Sequence, residues 1–277
     1  QRPILARFDR GCEPMSSSHC RQRGVAMAVV LWFLAAMSLL VSGIVYEARA
    51  DVKLAQLHSA RAKAEAAGDG AIHVAMAALT SGNETLEGDY IPRGRFIVGG
   101  QAVEVSILPI AGLIDLNYAS LEMLQALFQF GVGMDALDAQ AMASSLVLAR
   151  RVRLVSPEDF LAIEGANRAM YDAIKDSVRV TATQTGKLDL RSSPDSVLEI
   201  VAAQDPERLA AAEQRSLSGM SKNNKSNAKG DFRVDALVTV GDKVWLRRRW
   251  VTTDGAGAGS LPWKISRSEA TRVAFSG

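Results

Sequence analysis

Cysteine is nearly absent from this chain. Only Cys12 and Cys20 occur, so everything beyond residue 20 folds without a disulfide and without a thiolate metal site. Exported domains often carry disulfides, but a chain of 277 residues can manage with a hydrophobic core. Histidine is scarce too. His58 and His73 fall on predicted N-terminal helices, with no cysteine or second histidine at metal-ligand spacing. There is no nucleophile elbow, no P-loop and no Rossmann glycine pattern. Asp115 and Asp189 stand in equivalent sequence contexts and suit capping or hairpin-fixing roles better than a catalytic carboxylate pair. A strong charge imbalance is also missing. The formal net charge is +2 with a pI near 8.6, which does not by itself imply nucleic acid. These absences point away from an enzyme.

What the chain does have is a long apolar run. From Gly24 to Tyr46 there is no charged residue, and Arg21 and Arg23 precede it. As a helix this run spans roughly 33 Å at about 1.5 Å per residue, enough for a bilayer core. Charge returns abruptly at Glu47, Arg49, Asp51 and Lys53, while helix-forming residues continue to about Ala67. Ala48-Arg49-Ala50 looks like a secretory cleavage site, but the apolar run is too long for a secretory h-region of about 7–15 residues. The basic edge and Gly24 resemble the class III signal cut by prepilin peptidases, which places the cut between Gly24 and Val25. Met15–Gly24 has the length of such a leader, and residues 1–14 read as an upstream extension outside the fold.

Further along, Val52, Leu54 and Leu57 supply apolar positions to an amphipathic helix. Gly68-Asp69-Gly70 is expected to break or kink it. Ala71–Thr80 resumes helix, and Ser81-Gly82-Asn83 ends it. Strand-like runs follow at Arg95–Val98 and Ala102–Leu108. Val103, Val105 and Ile107 show the period-2 alternation of a half-buried strand, and Gly99-Gly100 favours a tight hairpin. From Leu116 to about Ala212 the pattern is helical, with Leu121, Leu124, Leu127 and Phe128 on one face. Ser156-Pro157-Glu158-Asp159 and Ser193-Pro194-Asp195 read as capped helix starts. A faint internal echo relates Gly112-Leu113-Ile114-Asp115-Leu116 to Gly186-Lys187-Leu188-Asp189-Leu190. Ser216–Lys229 reads as an exposed polar loop. Phe232–Val240 and Lys243–Thr252 form a second hairpin around Gly241-Asp242. Arg247-Arg248-Arg249, between Trp245 and Trp250, reads as a solvated sheet face. The Gly-rich stretch after Asp254 and the tail beyond Trp263 read as poorly ordered.

The order and content of these segments resemble the K-type minor pseudopilin family of the type II secretion system (general secretion pathway protein K). Three features carry the resemblance. They are Gly24-Val25-Ala26 leading into the apolar helix, Gly112-Leu113-Ile114-Asp115-Leu116-Asn117-Tyr118-Ala119-Ser120, and the later Ser156-Pro157-Glu158-Asp159-Phe160-Leu161 with Leu188-Asp189-Leu190. The resemblance implies an α+β fold: a pilin-like long N-terminal helix and antiparallel sheet, with an inserted all-α domain containing helix-hairpin-helix-like elements. The expected boundaries are leader 1–24, transmembrane helix 25–46, helix and first strands 47–110, inserted helical domain 111–214, loop 215–230, returning strands 231–253 and flexible tail 254–277.

The resemblance further implies a non-enzymatic subunit at the tip of a pseudopilus, helping to initiate its assembly and the export of folded periplasmic proteins. Its implied location is the bacterial inner membrane, single-pass, with the C-terminal domain in the periplasm. Implied partners are I- and J-type minor pseudopilins, the major pseudopilin, the prepilin peptidase and the inner-membrane secretion platform. Most pseudopilins carry glutamate at the fifth mature position, where it meets the N-terminal amine of the subunit ahead. Here that position is Val29, and an apolar residue suits a subunit with none ahead, because an unpaired carboxylate within the membrane costs a few kcal/mol. Val25 departs from the phenylalanine common at pilin mature N-termini. The small residues Ala35, Ala36, Ser38 and Gly43 allow close helix approach. No cofactor is implied. Some pseudopilins bind calcium through clustered acids.

The alternative is a membrane-anchored helix-hairpin-helix protein for DNA binding or uptake. Phe130-Gly131-Val132-Gly133 has the hairpin glycines that could offer N–H groups to a phosphate. The following Met134, Asp135 and Asp138 put carboxylates where an anion would sit, and no Lys or Arg appears until Arg150. Ile163-Glu164-Gly165-Ala166-Asn167 lacks the second glycine. Both read as structural hairpins.

Overall fold

The computed structural model describes residues 22–82, 85–88, 90–182, 187–218, 229–253 and 261–276. Most of the expected leader, the polar stretch 219–228 and the Gly-rich stretch 254–260 lie outside the described residues. The chain divides into two compact units between His58 and Ser59.

Helix α1 runs from Gln22 to Ser81 without interruption. In the first unit its side chains from Val25 onward are exposed, Val52, Leu54 and Leu57 among them. In the second unit Ala64, Ala67, Ala71, Ile72, Ala75 and Met76 form a buried stripe at three- and four-residue spacing. The helix stops at Gly82, whose φ of +68° is the left-handed conformation that glycine adopts without strain.

The expected break at Gly68-Asp69-Gly70 does not occur. These glycines serve close packing instead. A Cβ on Gly68 would lie 2.7 Å from the Arg247 Cβ, and one on Gly70 2.9 Å from a Val98 methyl. Their cost in helix propensity, about 1 kcal/mol each, is offset by the sheet lying directly on the helix.

Strands β1 (Arg93–Val98) and β2 (Gln101–Pro109) form an antiparallel hairpin. Gly99 and Gly100 both have positive φ, at +58° and +76°, as a two-residue hairpin turn requires. Strand β2 pairs next with β5 (Asp231–Val240), from Val103 opposite Val238 to Pro109 opposite Phe232. Two neighbouring strands are thus separated in sequence by the whole helical block, as an insertion requires.

Strand β5 turns through Gly241 into β6 (Lys243–Thr252). The far edge of β6 is shared. One half pairs with β7 (Lys264–Ser268) and the other with β8 (Arg272–Ser276). The expected flexible tail therefore contains two strands. Trp263 is buried and its ring lies 6.1 Å from that of His73, which anchors the segment entering β7.

The inserted block has its own core, centred on Leu124, Leu127, Phe128, Leu146, Phe160, Ile174 and Val201. Phe128 and Phe160 stack with ring centres 5.6 Å apart. Leu121, expected on the same face, is partly exposed at 39%. A two-stranded parallel pair that the helical pattern hid, β3 (Ile114–Asp115) with β4 (Val178–Arg179), ties the entry of the block to its middle.

Around this pair stand α2 (Leu121–Ala126), a π-helical turn over Leu127–Val132, α3 (Ala136–Ala149), a 3-10 turn over Pro157–Ala162 and α4 (Arg168–Ile174). A 3-10 turn over Leu190–Ser192, α5 (Asp195–Gln204) and α6 (Pro206–Ser218) complete it. Pro194 occupies the cap of α5 rather than its first turn, and the Ser193 hydroxyl donates to the Asp189 carbonyl instead of capping.

Candidate functional site

Three sets of residues bear on function. The first is the apolar start of α1. Gly24 and Val25 both lie within the helix. Val29 is 62% exposed, and Ala35, Ala36, Ser38 and Gly43 are exposed as well. At roughly 100° per residue, Val25, Val29, Ala36 and Gly43 share one face, while Ala35 and Ser38 lie on another arc, with Ser38 nearly opposite Ala36. Ser42 lies on that same arc and sequence reasoning missed it. Its hydroxyl donates to the Ser38 carbonyl at 2.8 Å, which satisfies the hydroxyl inside its own helix. A Cβ on Gly43 would meet nothing within 4 Å. The helix is long and apolar enough to cross a membrane.

The second set is the pair of hairpins. Gly133 adopts φ +83° and Gly165 φ +85°. At the first hairpin, Asp135 caps α3 by accepting from Leu137 N at 3.0 Å and Asp138 N at 2.9 Å. Those are the donors a phosphate would need. The Asp138 N–H in particular holds this carboxyl below the usual carboxylate range. At the second hairpin, Asn167 caps α4 through Met170 N at 3.0 Å.

The third set is an arginine seam on β6. Arg247, Arg248 and Arg249 are not a solvated face. Alternation along the strand sends them to acidic partners on the two faces of the sheet. Arg247 donates to both oxygens of Asp69 at 2.8 and 3.0 Å, and Arg249 does so at 2.9 and 2.7 Å. Arg247 also meets Glu65 at 2.9 Å. On the other face Arg248 grips Asp235 at 2.6 and 2.9 Å and reaches Asp176, which also accepts from Arg272 at 2.7 Å. Asp176 belongs to the helical block, so it pins that block to the sheet. Glu158 does the same from the 3-10 turn, accepting from Tyr171 at 2.9 Å and from Arg267.

Burial alone would raise Asp69 and Asp176, but the surrounding guanidinium groups outweigh it and hold both carboxyls below the usual range. Burial and the hydrogen bond to Glu158 push the Tyr171 hydroxyl up to about 12.

Asp189 caps the Leu190–Ser192 turn as expected, while Asp115 combines a local turn contact with partners distant in sequence. Asp115 accepts from Asn117 N at 3.0 Å and from the Thr181 hydroxyl. Asp189 accepts from Arg191 N at 3.3 Å and from the Ser192 hydroxyl at 3.1 Å. Among the described residues no group of three His, Cys, Asp or Glu side chains is placed to hold a metal ion.

No protein-family model matches the sequence. No curated protein sequence matches it either. Among solved structures, the fold is similar to a chain in the crystal structure of the GspK–GspI–GspJ complex of the type 2 secretion system from enterotoxigenic Escherichia coli. The identity is 14%, the TM-score 0.45, and the match covers 83% of this chain and 99% of that one. A likeness of that order assigns no function.

Proposed function

We propose that this chain is a membrane-anchored minor pseudopilin that helps initiate and tip a type II secretion pseudopilus. The observation that carries this reading is the composition of α1. One unbroken helix supplies a charge-free, exposed apolar run and, further along, the alanine stripe on which the antiparallel sheet lies. The sequence resemblance supplies the rest. In this reading a prepilin peptidase cuts between Gly24 and Val25, and Val25 is N-methylated. The chain then crosses the inner membrane once, with residues 47–277 in the periplasm. Its work is assembly rather than catalysis.

Partners are the I- and J-type minor pseudopilins, the major pseudopilin and the inner-membrane platform. The small residues of α1 let partner helices approach within the membrane, where packing rather than water exclusion drives association. Val29 fits the subunit that has none ahead of it. A glutamate there would have no amine to meet.

Two substitutions test this. Ala36→Leu should reduce co-purification with the other minor pseudopilins by about tenfold, the effect of losing roughly 1.4 kcal/mol of packing. Val29→Glu should impair secretion or leave it unchanged. Improved secretion by Val29→Glu together with undiminished partner binding by Ala36→Leu would refute both the tip position and the packing.

A further inference from the structure

The helical block contains a cleft that the assembly role does not use. Its volume is about 790 Å³, within the range of roughly 300–1,000 Å³ usual for small-ligand sites. Both halves of the faint sequence echo line it, around Asp115 on one side and Asp189 on the other. The Asp189 N–H donates to the Ala111 carbonyl at 3.0 Å and ties the two segments together.

The charge of the cleft is unbalanced. Arg179, Lys187, Arg191 and Arg208 line it against the carboxylates of Asp115 and Asp189. Arg191 is committed, lying 3.4 Å from Asp189 and 5.1 Å over the Tyr90 ring. Lys187 and Arg208 form no ion pair among the described residues. Arg179 is the telling group. It is only 3% exposed, yet its Nε and Nη1 have no hydrogen-bond partner. Its nearest carboxylate oxygen, on Asp115, lies 3.5 Å from Nε and is engaged by Asn117 and Thr181. A buried guanidinium with unanswered donors is costly, and native proteins seldom keep one without a use for it.

Apart from Tyr118 and Ser120, the remaining lining is apolar, including Leu113, Met123 and Leu188. A bare inorganic anion would leave that wall in water. A single carboxylate on a branched apolar body suits both parts, with the charge held by the exposed Lys187 and Arg208 in the field of the buried Arg179, and the alkyl group on the leucines. We propose that this cleft binds an apolar monocarboxylate, supplied as a free small acid or as the C-terminus of a peptide ending in an aliphatic residue. The inference does not depend on the pseudopilin reading.

The test is ligand-observed saturation-transfer NMR with the full chain in a non-ionic detergent. The probes are 4-methylpentanoate, its neutral amide, an acetylated tripeptide ending in a free leucine carboxylate, and inorganic phosphate as a competitor. Binding of 4-methylpentanoate points to a small acid, and binding of the tripeptide alone points to a chain terminus. Either should weaken about tenfold in the Lys187→Ala/Arg208→Ala variant, as expected for losing one or two charge-assisted contacts. Arg179→Met should also weaken binding by removing positive charge beside the cleft, but that variant removes a buried group, so the exposed double variant carries the test independently. Equal binding of the amide, full displacement by millimolar phosphate, unchanged affinity in the double variant or no binding of either acid would overturn the proposal.

Discussion

Asp69→Ala should destabilise the sheet-bearing unit by about 3 kcal/mol, the low end for removing one partner of a buried ion pair. The low end applies because Asp69 keeps 30% side-chain exposure, and solvent screens part of the interaction. The loss remains large because Arg247 and Arg249 keep only 5% and 13% exposure and would both be left short of acceptors. For a unit of this size the midpoint of thermal unfolding should fall by roughly 6–12 °C. Asp69→Asn should fall between the variant and the parent, since the amide oxygen still accepts but carries no charge. Denaturation of the full chain, followed by fluorescence of the sheet tryptophans Trp245, Trp250 and Trp263, reads the effect. A loss under about 1 kcal/mol would mean that this part of the seam contributes little.

The same residues set the acid response. Asp69 and Asp176 are both held below the usual carboxylate range in the folded state. The stability they contribute is therefore complete above an unfolded value of about 3.9 and is lost as pH falls through the lower folded values. The parent should weaken on acidification below about pH 4, and Asp69→Ala should show a shallower dependence there.

Gly112→Ala should cost about 3 kcal/mol or more, at the upper end for overpacking. A Cβ at that position would sit 2.0 Å from the Ser192 carbonyl oxygen and 2.4 Å from its carbon. Both atoms are backbone, and neither can yield as a flexible side chain would. Ser192 is itself held, its N–H donating to the Asp189 carbonyl at 3.2 Å and its hydroxyl to the Asp189 carboxylate at 3.1 Å. The clash should spread the two echo segments, lowering stability and disturbing the cleft together. Hydrogen exchange should show early opening over 111–116 and 187–193. A variant with parental stability and unchanged protection there would show that the close approach is not needed.

Much of the fold was legible where the signal is local. Gly99-Gly100 marked a hairpin because two successive residues at positive φ demand it. The alternation through Val103, Val105 and Ile107 marked the buried face of β2. The end of α1 and the insertion between β2 and β5 could be read from composition shifts. The errors came from partners distant in sequence. Gly68 and Gly70 looked like breakers because nothing nearby reveals that Arg247 and Val98 lie against them. The three arginines of β6 looked solvated because Asp69 is 178 positions from Arg247 and Asp176 is 72 from Arg248.

Strands β3 and β4 have two residues each, too few for any periodicity. Strands β7 and β8 fill out a shared edge of β6, which only the assembled sheet creates. Of the candidate site, the apolar run and its small residues were plain. The basic cleft was not, since only folding brings Arg179, Lys187 and Arg208 to line one cleft. The carboxylates at the first hairpin were visible in sequence, and Asp135 proves to occupy the donors at the start of α3.

The membrane-anchored pseudopilin reading is tested most directly by the N-terminus of the chain made together with a prepilin peptidase. Mass spectrometry of the terminal peptide should find Val25 as the first residue, carrying an N-methyl group. An N-terminus at Asp51, after Ala48-Arg49-Ala50, would mean that the apolar run is removed as a secretory signal and would contradict the account.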